Sequence, residues 1–263
     1  MLFCVIITSF FLRGDGVQNR TRYHLIDSLR GIAVVSMVLY HFVWDLKYIA
    51  GLRWGSYSSL SNLLWQQSIC WTFILVSGFC YFLSRRPLKN ALVTLIGGAA
   101  VTLVTVFATP DAAIYFGVLI FHGSAMLLLL PLRKLLCKIP PIVGIVASFI
   151  LFLLCYDINN GSLAFGLITL PKALYSNIIT AYFGFPPRSF ISADYFSFFP
   201  WIFLFLTGFF ISSLISKAKT PPKILCFKIP VLEWIGRRAL IIYLAHQPVL
   251  YALTLLIIKI QGE

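Results

Sequence analysis

Long apolar runs, broken by short clusters of charge, set the pattern of this chain. Phe196–Ser216 carries no charged residue, and neither does Ala91–Pro110. A hydrocarbon core about 30 Å thick asks for about 20 such residues in a helix, and with no water to bind backbone groups there, a chain crosses as helices or a closed barrel. Apolar runs read against charged punctuation predict seven spans, at about Asp27–Leu46, Leu64–Ser84, Asn90–Thr109, Ala113–Leu132, Ile139–Tyr156, Phe196–Ser216 and Arg238–Ile258. The expected fold is all-α, a polytopic integral membrane bundle of about seven transmembrane helices. Residues 25–258 form its membrane domain and 1–24 an amino-terminal segment. Within that segment Met1–Leu12 is apolar but too short to span, and it lacks the basic leader of a signal peptide. An interfacial piece or a misassigned start codon accounts for it.

Composition agrees, since 60% of the 263 residues are hydrophobic and 11% charged, against about a quarter charged in soluble chains. The net charge of +13 would fit nucleic-acid binding if it formed a basic face, but the basic residues sit in short loops between apolar runs. Sixteen of the 21 fall in one alternating set of loops and span ends: Arg13, Arg20, Arg22, Arg30, Arg85, Arg86, Lys89, Arg133, Lys134, Lys138, Lys217, Lys219, Lys223, Lys228, Arg237 and Arg238. Lys47, Arg53, Lys172, Arg188 and Lys259 make up the other set. The positive-inside rule then places the amino terminus of a multi-pass membrane protein in the cytoplasm and the carboxyl terminus outside. The stretch at about 157–195 becomes an extracytoplasmic loop, whose length and apolar content predict a lid, a re-entrant piece or an interfacial helix. No nucleic-acid partner is expected; the lipid bilayer is, and a homodimer is left open. Six cysteines show no paired spacing and no Cys/His cluster, so packing residues are expected and no metal site.

The first span carries the candidate chemistry. At about 100° per residue, Asp27, Arg30, His41 and Asp45 share one stripe about 60° wide on an otherwise apolar helix. Ionisable groups in a span are costly and face a polar cavity or partner. His41 and Asp45 stand at i and i+4, where a carboxylate can orient an imidazole. Structural readings exist for each: a cap and an anchor for Asp27 and Arg30, packing for the lone His122 and His246. Trp201 and Trp234 read as interfacial aromatics. Catalytic candidates are His41, Asp45 and His246. Substrate-binding candidates are His122, Gln247 and the pair Asp194-Tyr195, which opens the sixth span near the expected depth of Asp45.

The run Ile26-Asp27-Ser28-Leu29-Arg30-Gly31-Ile32-Ala33, continuing to His41-Phe42-Val43-Trp44-Asp45-Leu46, resembles the opening of the bacterial family related to heparan-alpha-glucosaminide N-acetyltransferase. Val76-Ser77-Gly78, Phe116-Gly117-Val118-Leu119, Asp194-Tyr195-Phe196 with Pro200-Trp201, and Trp234-Ile235-Gly236 with Tyr243-Leu244-Ala245-His246-Gln247-Pro248 resemble later blocks in the same order. Arg30, ten residues, then His41 is also similar to the signature of membrane acyltransferase family three. One departure is Ile120, where relatives often carry a histidine and this chain has His122 instead. The resemblance implies transfer of an acetyl group from cytoplasmic acetyl-CoA to an extracytoplasmic acceptor, a glycan or amino sugar. Arg30, with Asp27, Arg85, Arg86, Arg237 and Arg238, would then cradle the coenzyme A phosphates at a helix amino terminus. His41 would act as base or be acetylated itself. A proton-coupled transporter would also use Asp, His and Arg in spans, although the paired broken helices and repeats of such proteins are missing from the pattern. A non-catalytic scaffold would need no intramembrane His/Asp pair.

The basic split makes a direct prediction about topology. Reporter fusions after Lys138 and after Lys172 are expected on opposite sides of the membrane, and the same side for both would sink the seven-span arrangement.

Overall fold

The computed structural model describes residues 23–52, 60–218, 220 and 222–261; the apolar stretch Met1–Leu12 lies outside them. Nine α-helices occur among the described residues: α1 (His24–Tyr48), α2 (Leu60–Leu83), α3 (Pro87–Ala108), α4 (Val118–Leu136), α5 (Pro141–Leu154), α6 (Ile178–Phe183), α7 (Trp201–Lys217), α8 (Pro230–Arg237) and α9 (Ala239–Gln261). Pro87, Pro141 and Pro230 each stand at the first helical turn, where a missing N–H costs no hydrogen bond. Six segments are long and apolar enough to cross a membrane: α1 to α4, Pro141–Asn160 built on α5, and Ala239–Ile260 in α9. The apolar helix α7 is shorter, and with it the count meets the seven expected spans.

Three local expectations need correction. The fourth span begins at Val118 rather than Ala113, because Pro110–Ala112 coils into a 3-10 turn and Phe116 takes a positive φ of 54°, which stops a right-handed helix. The helix of the sixth span begins at Trp201, one residue after Pro200. Trp201 itself is buried against Phe152 and Phe196, with ring centroids 5.6 and 5.3 Å away, so it is a core residue and not an interfacial one. Trp234, half exposed, fits the interfacial expectation better. Of the cysteines among the described residues, Cys137 and Cys226 are exposed rather than packed.

The chain divides into two compact units. The first takes the residues up to Phe73 together with those from Thr220 onward; the second is Ile74–Lys219. Helix α2 contributes to both. In the first unit α1 packs on α8 and α9. The α1–α8 crossing is a reciprocal glycine contact: a Cβ on Gly31 would lie 2.0 Å from the Leu232 carbonyl oxygen, and one on Gly236 would lie 1.9 Å from that of Asp27. Lipid offers no hydrophobic drive between helices, so close backbone approach through small residues is how they gain contact. The Trp65 indole N–H donates to Ser36 Oγ at 2.7 Å and ties α2 to α1.

In the second unit α3 packs on α4 and α5 on α7. Here too glycines admit the close contacts, Gly78 against the Phe205 carbonyl, Gly208 against that of Leu75, and Gly144 against the Phe210 ring. Phe121, Phe152, Phe205 and Phe209 are fully buried between them. Arg133 of α4 donates to the carbonyls of Phe82 (2.6 Å) and Ser84 (3.4 Å), satisfying oxygens that the end of α2 leaves without helical donors. The 157–195 stretch is built as a loop with its own order: a short ribbon, β1 (Ser162–Leu163) antiparallel to β2 (Ile168–Thr169), and α6, whose start is closed by an Asn177/Thr180 capping box.

The glycine contacts predict stability. Gly236→Ala is expected to cost about 1–3 kcal/mol from overpacking and to lower the melting temperature of the purified protein. Gly97→Ala, whose Cβ would meet nothing nearer than Leu119 Cδ1 at 3.6 Å, should leave it unchanged or raised. Thermal unfolding in detergent checks the pair, and equal behaviour would remove the crossing from the account.

Candidate active site

Three of the four ionisable residues of the α1 stripe, Arg30, His41 and Asp45, are met by one segment, residues 233–247, within the first unit, while the Asp27 carboxylate pairs with Arg30 on α1 itself. At the amino-terminal end, Arg30 Nη1 pairs with Asp27 Oδ1 at 3.1 Å and donates to the Gly236 carbonyl at 3.4 Å. Arg30 lies six residues into α1, so the expected cradle at a helix amino terminus is corrected: the guanidinium faces the carboxyl end of α8 instead. Glu233, buried in α8, holds His24 Nδ1 at 3.1 Å and Arg237 Nη1 at 3.8 Å. Arg237 Nε is buried without a hydrogen-bond partner among the described residues. Arg238 stacks over the Trp234 ring at 4.2 Å, a cation–π contact, and its Nη1 donates to the Trp234 carbonyl at 3.4 Å. Arg30, Arg237 and His24 thus pair with two carboxylates, Asp27 and Glu233. Arg85 and Arg86 belong to the second unit, exposed just before α3.

Three turns further along α1 a second polar cluster forms. The rings of His41 and His246 lie with centroids 5.0 Å apart. Asp45 is 0% exposed, and its carboxylate accepts from Gln247 Nε2 at 3.0 and 3.3 Å. The expected His41–Asp45 pairing is therefore replaced: α9 supplies the donor for the carboxylate, and His41 turns its ring to His246 and, edge-on, to Tyr40 at 5.9 Å. Tyr40 in turn meets Trp65 at 5.3 Å, a contact sequence reasoning missed and for which it had no signal. His246 Nδ1 stands 2.5 Å from the Tyr243 carbonyl oxygen. His246 Nε2 and Gln247 Oε1 are buried with no hydrogen-bond partner among the described residues.

The remaining candidates lie in the second unit. His122 is buried in α4, its Nδ1 2.8 Å from the Val118 carbonyl, its ring edge-on to Phe121 and Phe205. Asp194 Oδ2 accepts from the Val118 N–H at 3.4 Å, placing a negative charge where the α4 dipole favours one. Burial pushes the Tyr195 phenol well above its usual pKa, and its hydroxyl donates to the Ala181 carbonyl. Tyr195 also lines a cleft of about 380 Å³ with Asn159, Asn160, Arg188, Phe190 and Ser192, a surface of aromatic, amide and guanidinium groups. The sequence singled out Tyr195 but not these neighbours, which come from separate stretches of the loop.

The family model described as "Heparan-alpha-glucosaminide N-acetyltransferase, catalytic" matches residues 22–248, a stretch that takes in both clusters on α1 and their partners on α8 and α9. No curated protein and no solved structure matches the chain.

The Asp45–Gln247 contact yields a double-substitution prediction. Gln247→Leu strands a fully buried carboxylate and is expected to cost about 3 kcal/mol of stability. Asp45→Leu combined with Gln247→Leu should recover part of that loss, since two apolar groups need no partner. Equilibrium denaturation of the three proteins checks this; a double variant less stable than Gln247→Leu alone would deny the contact its structural weight.

Proposed function

We propose a function from one premise: the chain belongs to the heparan-alpha-glucosaminide N-acetyltransferase catalytic family and is a multi-pass membrane acetyltransferase. Its donor, on our reading, is acetyl-CoA taken from the cytoplasm, and its acceptor is a glycan or amino sugar on the other side. The observation that carries this reading is the arrangement along α1, where Arg30 meets α8 near Arg237 and His41 meets His246 of α9, all in one unit. Arg30 and His41 are separated by 11 residues, about 16 Å of helix, a span an extended pantetheine arm can cover.

Arg30, Arg237 and Arg238 suit the phosphates of coenzyme A. Guanidinium groups make paired charge-assisted hydrogen bonds to phosphate, and the buried Arg237 Nε is a donor without an acceptor among the described residues. Asp27 and Glu233 hold the arginines in place and compete with the ligand for them. With the phosphates at that end of α1, the thioester reaches toward the His41–His246 pair, where a neutral imidazole can take the acceptor's proton or accept the acetyl group itself. The aromatic and amide cleft around Tyr195 and Phe190 supports a sugar as the acceptor, because sugars pair apolar ring faces with hydroxyl edges. Arg85 and Arg86 remain further candidates for phosphate contact, and Asp194 and His122 for the acceptor.

Calorimetry with acetyl-CoA and release of free coenzyme A thiol test the reading together. Arg30→Ala is expected to weaken acetyl-CoA binding about tenfold or more, through loss of a charged hydrogen bond, and added salt should narrow the gap between variant and parent. A variant lacking both histidines, His41→Ala with His246→Ala, should bind acetyl-CoA normally and transfer nothing. Unchanged affinity in folded Arg30→Ala would reduce that arginine to a structural strut.

A further inference from the structure

We propose that His246 Nε2 is the atom that takes the proton from the acetyl acceptor, with His41 steadying the His246 ring. The assignment rests on the acetyl-transfer reading and names the base within it.

The argument is one of tautomers. His246 Nδ1 lies 2.5 Å from the Tyr243 carbonyl oxygen. A carbonyl can only accept, so the proton of the neutral ring sits on Nδ1 and Nε2 keeps its lone pair. That Nε2 is buried with no donor beside it among the described residues. Leaving a buried acceptor unmet costs about 1–3 kcal/mol, and groups left so in a folded protein ask for a reason; a base awaiting its substrate supplies one. His41 is different. Its contacts are ring contacts to Tyr40 and His246, which fix neither nitrogen as donor or acceptor.

Gln247 repeats the logic one residue later. The Asp45 carboxylate only accepts, so the Gln247 amide turns its NH2 toward it and leaves Oε1 buried and unmet among the described residues. Consecutive residues of α9 therefore offer two acceptor atoms, each fixed by a partner that can only accept, and the substrate must bring the donor hydrogens. Its amine nitrogen or hydroxyl oxygen attacks the thioester carbonyl carbon; the new C–N or C–O bond forms and the C–S bond breaks. The substrate proton passes to His246 Nε2 and from there to the departing thiolate, so free coenzyme A leaves and the imidazole is neutral again.

The test uses the full chain in detergent, acetyl-CoA, and glucosamine as the probe acceptor, with thiol release as the readout. Glutamine reaches as far as an imidazole nitrogen but is not a base. His246→Gln is expected to lose about 10²- to 10⁴-fold in kcat with acetyl-CoA affinity within about twofold of the parent by the same principle, since uniform binding is untouched. Its residual rate should no longer fall at acid pH. His41→Gln should lose about tenfold, well short of the range for general-base loss, and should keep the acid limb. If His246→Gln retains the acid limb and most of its rate, the assignment is overturned while acetyl transfer stands. If the parent protein releases no thiol at all, the transfer reading falls and takes the assignment with it. Should His246→Gln fail to fold, ring nitrogen NMR of the histidine-labelled parent decides: an unprotonated Nε2 is expected, and a proton on it overturns the proposal.

Discussion

Where α1 and α8 cross, Gly31 meets the Leu232 carbonyl and Gly236 meets the Asp27 carbonyl at distances that leave no room for a Cβ. Two glycines set two helices in backbone contact, and the polar chemistry of the first unit follows from it. With the backbones this close, Arg30 reaches the Gly236 carbonyl and Glu233 reaches His24. The chain turns at Arg238 directly into α9, so the same crossing delivers His246 and Gln247 to His41 and Asp45. Ionisable groups on a helix in a membrane need partners, and one contiguous segment meets Arg30, His41 and Asp45.

The two ends of α1 resolve their charges differently. At the arginine end the groups pair ion with ion, and the partly exposed Asp27, Arg30 and Arg237 let water and salt screen what they gain. At the histidine end Asp45 is fully buried and relies on a neutral amide, which satisfies the oxygens by hydrogen bonds without placing a cation beside them. Full ion pairing there would have required burying a cation as well, at a desolvation cost that attraction seldom recovers. The amide leaves its own Oε1 unmet, so part of the electrostatic cost remains at the site, available to a ligand that brings donors.

The apolar spans were legible in the sequence because length and hydropathy alone decide them, and the α1 stripe was legible because helical spacing is rigid. What the stripe touches was not. Asp45 and Gln247 are separated by 202 positions, and local spacing favoured the i, i+4 neighbour His41 over a residue at the far end of the chain. Helix α8 went unread as a helix for another reason: its eight residues lie between basic loops and carry too few apolar turns to register as a span. Trp201 was misjudged because an aromatic at a span end fits an interface and a core equally well, and only the neighbouring Phe152 and Phe196 rings separate the two. The blocks at the two ends of the family match, by contrast, are readable in the sequence as a resemblance while their contact is not, since residues that meet in space need not be near in sequence.

That contact explains why the opening and closing blocks stand out together. Gly31 is of use only if a carbonyl of α8 comes close, and Gly236 only if α1 does; His246 needs the span that carries His41, and Gln247 needs Asp45. Each residue answers a constraint set by a residue of the other block, so neither block could change independently without leaving a clash or an unmet buried group. The intervening second unit carries its own glycine contacts and its own aromatic core, and can vary under different constraints. Chemistry placed on the α1–α8–α9 assembly is therefore held by helix backbones rather than loops, which is the condition for keeping a base and its tautomer-fixing partner within a few tenths of an ångström.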